Sequence, residues 1–421
     1  MSRLVVAFVF VAACVPATPT AVGELEPEAL TAAATPSAVT RERVAGDIYH
    51  YQLDVRVGST PNARVRVHRV VREDAPWRPR HTGHAVMLLH GDFANFVTNF
   101  LPTLGDPASP ATGLARYLVT HDIDVWGTDR RWTLPASDGD TSDFGAMGVD
   151  QELGDIGVAL AFARATRAVT DGDPGRIVLG GFSHGGQLTY AYAAADGRHV
   201  SGIAVLDVYY DIAPADAALQ QFACDNAAFE ADAVAQGVVD SDNSFFIGLG
   251  ALDRSAPTDP SPLFPPYTNR GALFTLAGVT GRFVPYTPQY HLIAPVLDAG
   301  GEVAAIRYTS EAALSAWFAA APPHQSMREA AELDAIWCHG SLRPELANIH
   351  VPLIYIGAAG AFGDYGLYST TRVSSADVTT LVVQRLADDR VAEDFGHGDL
   401  LYAADAAKLA WKPLAAWLSR H

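Results

Sequence analysis

The order of apolar runs in this 421-residue chain predicts an α/β protein, with a mostly parallel, doubly wound sheet and a large cap inserted between late strands. Three observations carry that expectation. Short continuous apolar runs, the mark of strands buried on both faces, alternate with helix-like stretches between residues 84 and 210. The alternation stops over residues 212–348, which are rich in Pro and aromatics, and resumes at residue 351. A glycine-framed serine, in GGFSHGGQL (180–188), falls where an apolar strand gives way to a helix.

The N-terminus reads as an export signal over residues 1–21. Arg3 precedes LVVAFVFVAA (4–13), an apolar run too short to span a bilayer, and the run leads into Val11-Ala12-Ala13-Cys14. That tetrapeptide resembles a bacterial lipobox, in which the cysteine is lipidated and anchors the mature chain to a membrane. The alternatives are a plain signal peptide cut near Ala17 or Ala21, and an uncleaved anchor. The expected location is therefore the cell envelope or the exterior. Residues 22–44, rich in Ala, Pro and Thr, are expected to form a flexible tether.

The sheet domain is expected over residues 45–211 and 349–421, with the cap over 212–348. DIYHYQLDVRV (47–57) and ARVRVHRVVRE (63–73) alternate in polarity around the turn-rich GSTPN, a hairpin signal. Strands follow at HAVMLLHG (84–91), IDVWGTD (123–129), RIVLGGFS (176–183) and SGIAVLDVYY (201–210). Between them lie helical stretches. In the one at 149–169, Leu153, Ile156, Leu160 and Ala163 recur at helical spacing. After the cap come strands VPLIYIGA (351–358) and TTLVVQRL (379–386), then one helix from Asp399 to the end.

A net charge of −18 argues against nucleic acid as a partner, because phosphates demand basic patches. No cluster of Cys and His has zinc-site spacing, HExxH is missing, and no metal or cofactor is called for. Three cysteines occur, Cys14, Cys224 and Cys338. With Cys14 lipidated or removed, an exported chain keeps an even pair. Cys224 and Cys338 are expected to be bridged, the alternative being two buried thiols.

The chemistry centres on Ser183. A nucleophile on a sharp strand-to-helix turn has no room for side chains two positions to either side, which suits Gly181 and Gly185. The helix that starts at His184 points its positive end at developing negative charge. A serine hydroxyl needs a base, and His397 lies after the last strand, between Gly396 and Gly398, where its ring can protrude. The orienting acid is expected at Asp364, on the connection after strand 351–358. Asp377, further along that connection, and Asp207 or Asp211, at the end of the preceding strand, are the alternatives. Backbone N–H groups of His184 and Asp92, the latter in His90-Gly91-Asp92-Phe93, are expected to hold an oxyanion, with Phe93 as second choice. Each such donor supplies roughly 3 kcal/mol of transition-state stabilisation. His90 reads as a buried turn histidine bonded to backbone.

In this order, HG, G-x-S-x-G, Asp and GH resemble the α/β-hydrolase superfamily over about residues 84–421. Within it the chain is similar to the acid lipases of the gastric and lysosomal type. These share the D-V-W element (Asp124-Val125-Trp126), a long cap before the acid, and the F-G-H-x-D ending (Phe395 to Asp399). Where those enzymes carry N-x-R-G, this chain has Thr128-Asp129-Arg130-Arg131. The resemblance implies a serine hydrolase that cleaves small carboxylic esters with apolar acyl groups. Cap aromatics such as Phe246, Phe283, Tyr286, Tyr290, Trp317 and Trp337 are candidates for the acyl pocket. A serine peptidase of the same fold and a non-catalytic binding module are the competing readings.

Overall fold

The computed structural model describes residues 39–102, 113–279, 290–339 and 344–421. The expected signal segment with Cys14, tether residues 22–38, Phe283 and Tyr286 lie outside the described residues.

The chain opens with β1 (Thr40–Ala45), β2 (Ile48–Arg56) and β3 (Arg64–Ala75), paired antiparallel in sequence order, with β4 (Arg78–Pro79) on the end of β3. Residues 40–44 are thus an edge strand and not tether. Gly46, at φ 55°, turns the chain so that Thr40 lies opposite Gln52, and Arg41 pairs with the buried Glu73 of β3. Then follow β5 (His84–Leu89), α1 (Phe96–Phe100), α2 (Leu114–Val119), β6 (Ile123–Asp129), α3 (Val149–Thr170), β7 (Ile177–Phe182), α4 (His184–Ala195) and β8 (Val200–Leu206).

Between β8 and the next sheet strand lie α5 (Ala217–Ala235), β9 (Asp240–Asp242), α6 (Ser244–Ser255), α7 (Asn269–Gly278), β10 (Pro295–Leu297), β11 (Val303–Ile306), α8 (Glu311–Ala319), β12 (His324–Ser326) and α9 (Met327–His339). The two small sheets here, β10–β11 and β9–β12, are built of strands too short to show a period of two in sequence. The chain ends with β13 (Leu353–Ala358), α10 (Gly363–Thr370), β14 (Val378–Val383), α11 (Asp399–Tyr402) and α12 (Lys412–Leu418).

The expected terminal helix is broken. Ala403 is extended (φ −64°, ψ 145°) and bridges Thr309. The Asp399 carboxylate meanwhile accepts from Gly396 N, Ala294 N and the Thr309 hydroxyl. These tertiary bonds outweigh the continuation of an alanine-rich helix.

The large sheet runs β1-β2-β3-β6-β5-β7-β8-β13-β14, with parallel pairing from β6 to β14. Alternate residues face opposite ways. Val86 and Leu88 join Phe96, Phe100 and Leu118 on one face, and Met87 and Leu89 join Ile156, Leu160 and Leu188 on the other. The chain moves from β5 outward to β6, then crosses back to β7 on the other side of β5. That reversal opens a crevice at the carboxyl ends of β5 and β7, the usual ligand position in such sheets.

Cys224 and Cys338 form a disulfide that ties α5 to α9. Helix α9 docks on the sheet domain along its length. Glu332 accepts from Val149 N at the start of α3 (2.6 Å), Gln187 of α4 donates to Leu333 O (2.8 Å), and Trp337 Nε1 donates to Tyr209 O (2.9 Å). The Glu332 carboxylate also meets the positive end of α3. Among the described residues no helix is long and apolar enough to cross a membrane.

Candidate active site

Ser183 caps α4 at the end of β7 with φ 57° and ψ −133°, a conformation a non-glycine residue holds only under constraint. The constraint is visible. Ser183 N donates to Leu206 O of β8 (3.0 Å), and its own carbonyl accepts from Gly186 N (2.7 Å). A Cβ on Gly181 would overlap the Gly185 carbonyl, and one on Gly185 would overlap Leu89 O and lie 2.6 Å from His90 O. Both glycines are therefore required by close backbone approach. Among the described residues, five non-glycine residues have positive φ; Phe93, Ser183 and Asp207 are three of them. The strain gathers at this end of the sheet.

His397 lies on the loop between β14 and α11, as expected. Its N–H donates to His291 O (3.1 Å) and that of Gly398 to Leu292 O (2.7 Å), so the loop is stapled to the cap. Phe182, the residue before Ser183, stacks on the His397 ring at 4.4 Å, and Phe362 meets that ring edge-on at 5.6 Å.

The carboxylate that meets His397 is Asp207, not Asp364. His397 Nδ1 lies 2.6 Å from Asp207 Oδ2, and both side chains are buried. Asp207 follows β8 at φ 48°, and its other oxygen accepts from Ala358 N (2.8 Å). Asp364 instead sits exposed on the first turn of α10. The loop after β13 turns so tightly that α10 starts at Gly363, and Asp364 is carried outward. What that loop offers the site is backbone N–H, from Ala358 and more distantly from Phe362 (3.5 Å). Asp377 is exposed and bonds to His421, while Asp211 pairs with Arg372.

The loop after β5 passes directly over Ser183, since a Cβ on Gly91 would lie 2.9 Å from Ser183 Cβ. Gly91 N is fixed by Asn99 Oδ1 (2.9 Å). Among the described residues, no acceptor engages the backbone N–H of His184, Asp92 or Phe93, as an oxyanion site requires. His90 is fully buried and donates from Nδ1 to Gly91 O (2.8 Å); burial pushes its pKa down to about 3, so it is neutral. It is the turn histidine that the sequence implies.

Sequence reasoning missed how the two residues expected to hold an oxyanion are joined. The Asp92 and His184 side chains form an ion pair at 2.5 Å. Burial alone would lower the His184 pKa, but the facing Asp92 outweighs it and the net shift is upward. Burial likewise opposes ionisation of Asp92, and the His184 charge reverses that. Around this pair the walls are aromatic. Trp337 lies 5.1 Å from the His184 ring and 4.6 Å from Tyr209, and Tyr290 lies 4.6 Å from Phe362. Of the cap aromatics, Tyr290 and Trp337 thus reach the site and Phe246 packs on Phe93 at 4.7 Å, whereas Trp317 stacks on Tyr402 of α11. Among the described residues, no group of three or more His, Cys, Asp or Glu could hold a metal ion.

No family model and no curated protein matches the chain. Solved structures do. A presumed lipase from Sulfolobus solfataricus superposes with a TM-score of 0.62 at 15% identity, over 91% of this chain and 99% of that one. A monoglyceride lipase from Saccharomyces cerevisiae aligns over 96% of this chain and 99% of its own, at 12% identity and a TM-score of 0.49. The fold is that of the α/β-hydrolases.

Proposed function

We propose that the chain is a serine hydrolase of carboxylic esters, acting through an acyl-enzyme on Ser183. The observation that carries this reading is the buried Asp207–His397 pair, its imidazole stacked on Phe182, next in sequence to a strained serine at a helix N-terminus. In that reading His397 takes the Ser183 proton as Oγ attacks the ester carbonyl, and Asp207 holds the imidazole tautomer and stabilises the imidazolium. The N–H groups of His184 and Asp92 receive the tetrahedral oxyanion. His397 returns its proton to the departing alkoxide, and a water molecule, activated the same way, releases the acid. Tyr209, Trp337, Phe362 and Tyr290 favour an apolar acyl group.

The cystine supports an oxidising compartment, so the enzyme is proposed to be exported, either lipid-anchored through Cys14 or secreted. A second reading, a serine peptidase, draws on the cap carboxyl of Asp334, which faces His184 and, with burial raising its pKa only to about 6, would offer an anionic anchor to a peptide amino group at neutral pH. The test is a panel of p-nitrophenyl esters against aminoacyl-nitroanilides, with Ser183→Ala alongside. Ester turnover should dominate and fall at least ~10⁴-fold in the variant. A fluorophosphonate should label Ser183 alone. Label that persists in Ser183→Ala removes the assignment, and faster anilide turnover transfers it to the peptidase.

A further inference from the structure

The β12–α9 segment of the cap reaches the loop after β5 in two ways, directly through Gln325 and indirectly through Glu329 and Arg130. Gln325 of β12 donates from Nε2 to Asp92 Oδ1 at 2.7 Å. Four residues on, Glu329 at the start of α9 is fully buried, pairs with Arg130, and accepts from Trp132 Nε1 at 2.5 Å. Arg130, itself buried, turns its other nitrogen to the loop, where Nη2 donates to His90 O (2.5 Å) and Gly91 O (3.1 Å).

Peptide planarity gives these contacts a consequence. Gly91 C=O and Asp92 N–H belong to one trans peptide unit and point in opposite directions. Two donors, Arg130 and His90 Nδ1, hold the oxygen end. The hydrogen end, the Asp92 N–H, is thereby aimed the other way. A guanidinium on the carbonyl also polarises the amide and makes that N–H a stronger donor. The desolvated cation is stable there because Glu329 neutralises it. Glu152 of α3 stands beside Glu329 with Oε1 buried and unpartnered, and burial next to the Glu329 charge raises its pKa.

We infer that Arg130, Gln325 and Glu329 are positioning residues for the oxyanion hole, through which the β12–α9 segment of the cap aims and polarises the Asp92 N–H. This rests on the acyl-transfer reading of Ser183. It sets apart one part of the cap, β12 and the start of α9, as catalytic scaffolding rather than pocket wall.

The test uses the mature protein and four variants, with active sites counted by end-point fluorophosphonate labelling and folding checked by Tm. Turnover and KM are measured on a p-nitrophenyl ester, and inhibition by an alkyl trifluoromethyl ketone reports oxyanion binding. Glu329→Gln, close in shape, should lower kcat per labelled site by about 10- to 100-fold with KM within about twofold. The ketone Ki should rise by the same factor. Arg130→Met should match or exceed that loss, and Gln325→Ala should lose about three- to tenfold. Arg270→Ala, which breaks a cap ion pair remote from the loop, should change neither quantity.

A purely structural role would lower Tm and the labelled fraction while leaving kcat per site and ketone Ki unchanged. That result in Glu329→Gln and Gln325→Ala overturns the inference, whether or not Arg130→Met folds. A wild type that turns over ester and labels at Ser183, with variants that match it, also overturns the inference while the acyl-enzyme stands. A wild type that neither labels nor hydrolyses esters removes both.

Discussion

The two halves of the site are held in different ways. The half proposed for acid–base work, Asp207 and His397, is tied to the sheet through Asp207 to Ala358 N, and to residues 291 and 292 of the cap through the backbone of His397 and Gly398. The oxyanion half is a loop whose side chain and carbonyls are gripped by the cap, through Gln325 and through Arg130 with Glu329. The first half, whose His397 loop meets the cap at residues 291–294, should therefore tolerate disturbance of the β12–α9 segment, and the second should not. A triad drawn as three side chains on one scaffold hides that difference in dependence.

The largest effect expected is on the acid–base half. Asp207→Asn should lower turnover about 10³–10⁴-fold by stabilising the wrong imidazole tautomer, whereas Asp364→Asn should change it less than about twofold. Steady-state kinetics on folded variants decides this, and a large loss in Asp364→Asn would break the comparison at its root.

Disulfide reduction comes next. Cys224 and Cys338 are 114 residues apart, for which the chain-entropy argument gives about 4–5 kcal/mol as an upper figure. Mild reduction should lower Tm, widen the usable ester range, and weaken trifluoromethyl ketone binding. The downfield proton between His397 and Asp207 in NMR spectra should persist. Loss of that proton with ketone affinity intact would reverse the proposed division.

The smallest effect concerns pH. His184 is faced by Asp92, Asp334, Glu230 and Arg130, and its folded pKa is raised. Its stabilising contribution is therefore complete below the ordinary histidine value, about 6.5, and is lost as pH rises through the folded value. Asp334 and Glu230, pushed up chiefly by burial, lose stability in the same direction. The Tm advantage of wild type over Asp92→Asn should shrink as pH rises above about 6.5. A constant or growing advantage would show that the ion pair is not what titrates.

Much of this was legible because it is local. Gly181 and Gly185 announce the elbow since backbone contact there admits no Cβ. The apolar runs at 84–91, 176–183 and 351–358 gave their strands, and His397 was marked by its glycines and its place after β14. Asp207 stayed one alternative among several, because both strand ends carry aspartates and sequence spacing does not say which way a side chain points. Only the tight turn into α10, which faces Asp364 to solvent and the Ala358 N–H inward, decided between them. The break at Ala403 was invisible in an alanine-rich stretch because its cause lies on Thr309.

By itself, then, the sequence determined the buried strands, the elbow and the place of His397, each set by demands within a few residues. The tertiary structure alone decided which carboxylate meets His397 and what grips the loop after β5. Those depend on pairs such as Asp207–His397, 190 residues apart, and Arg130–Glu329, 199 apart, which nothing in local propensity encodes.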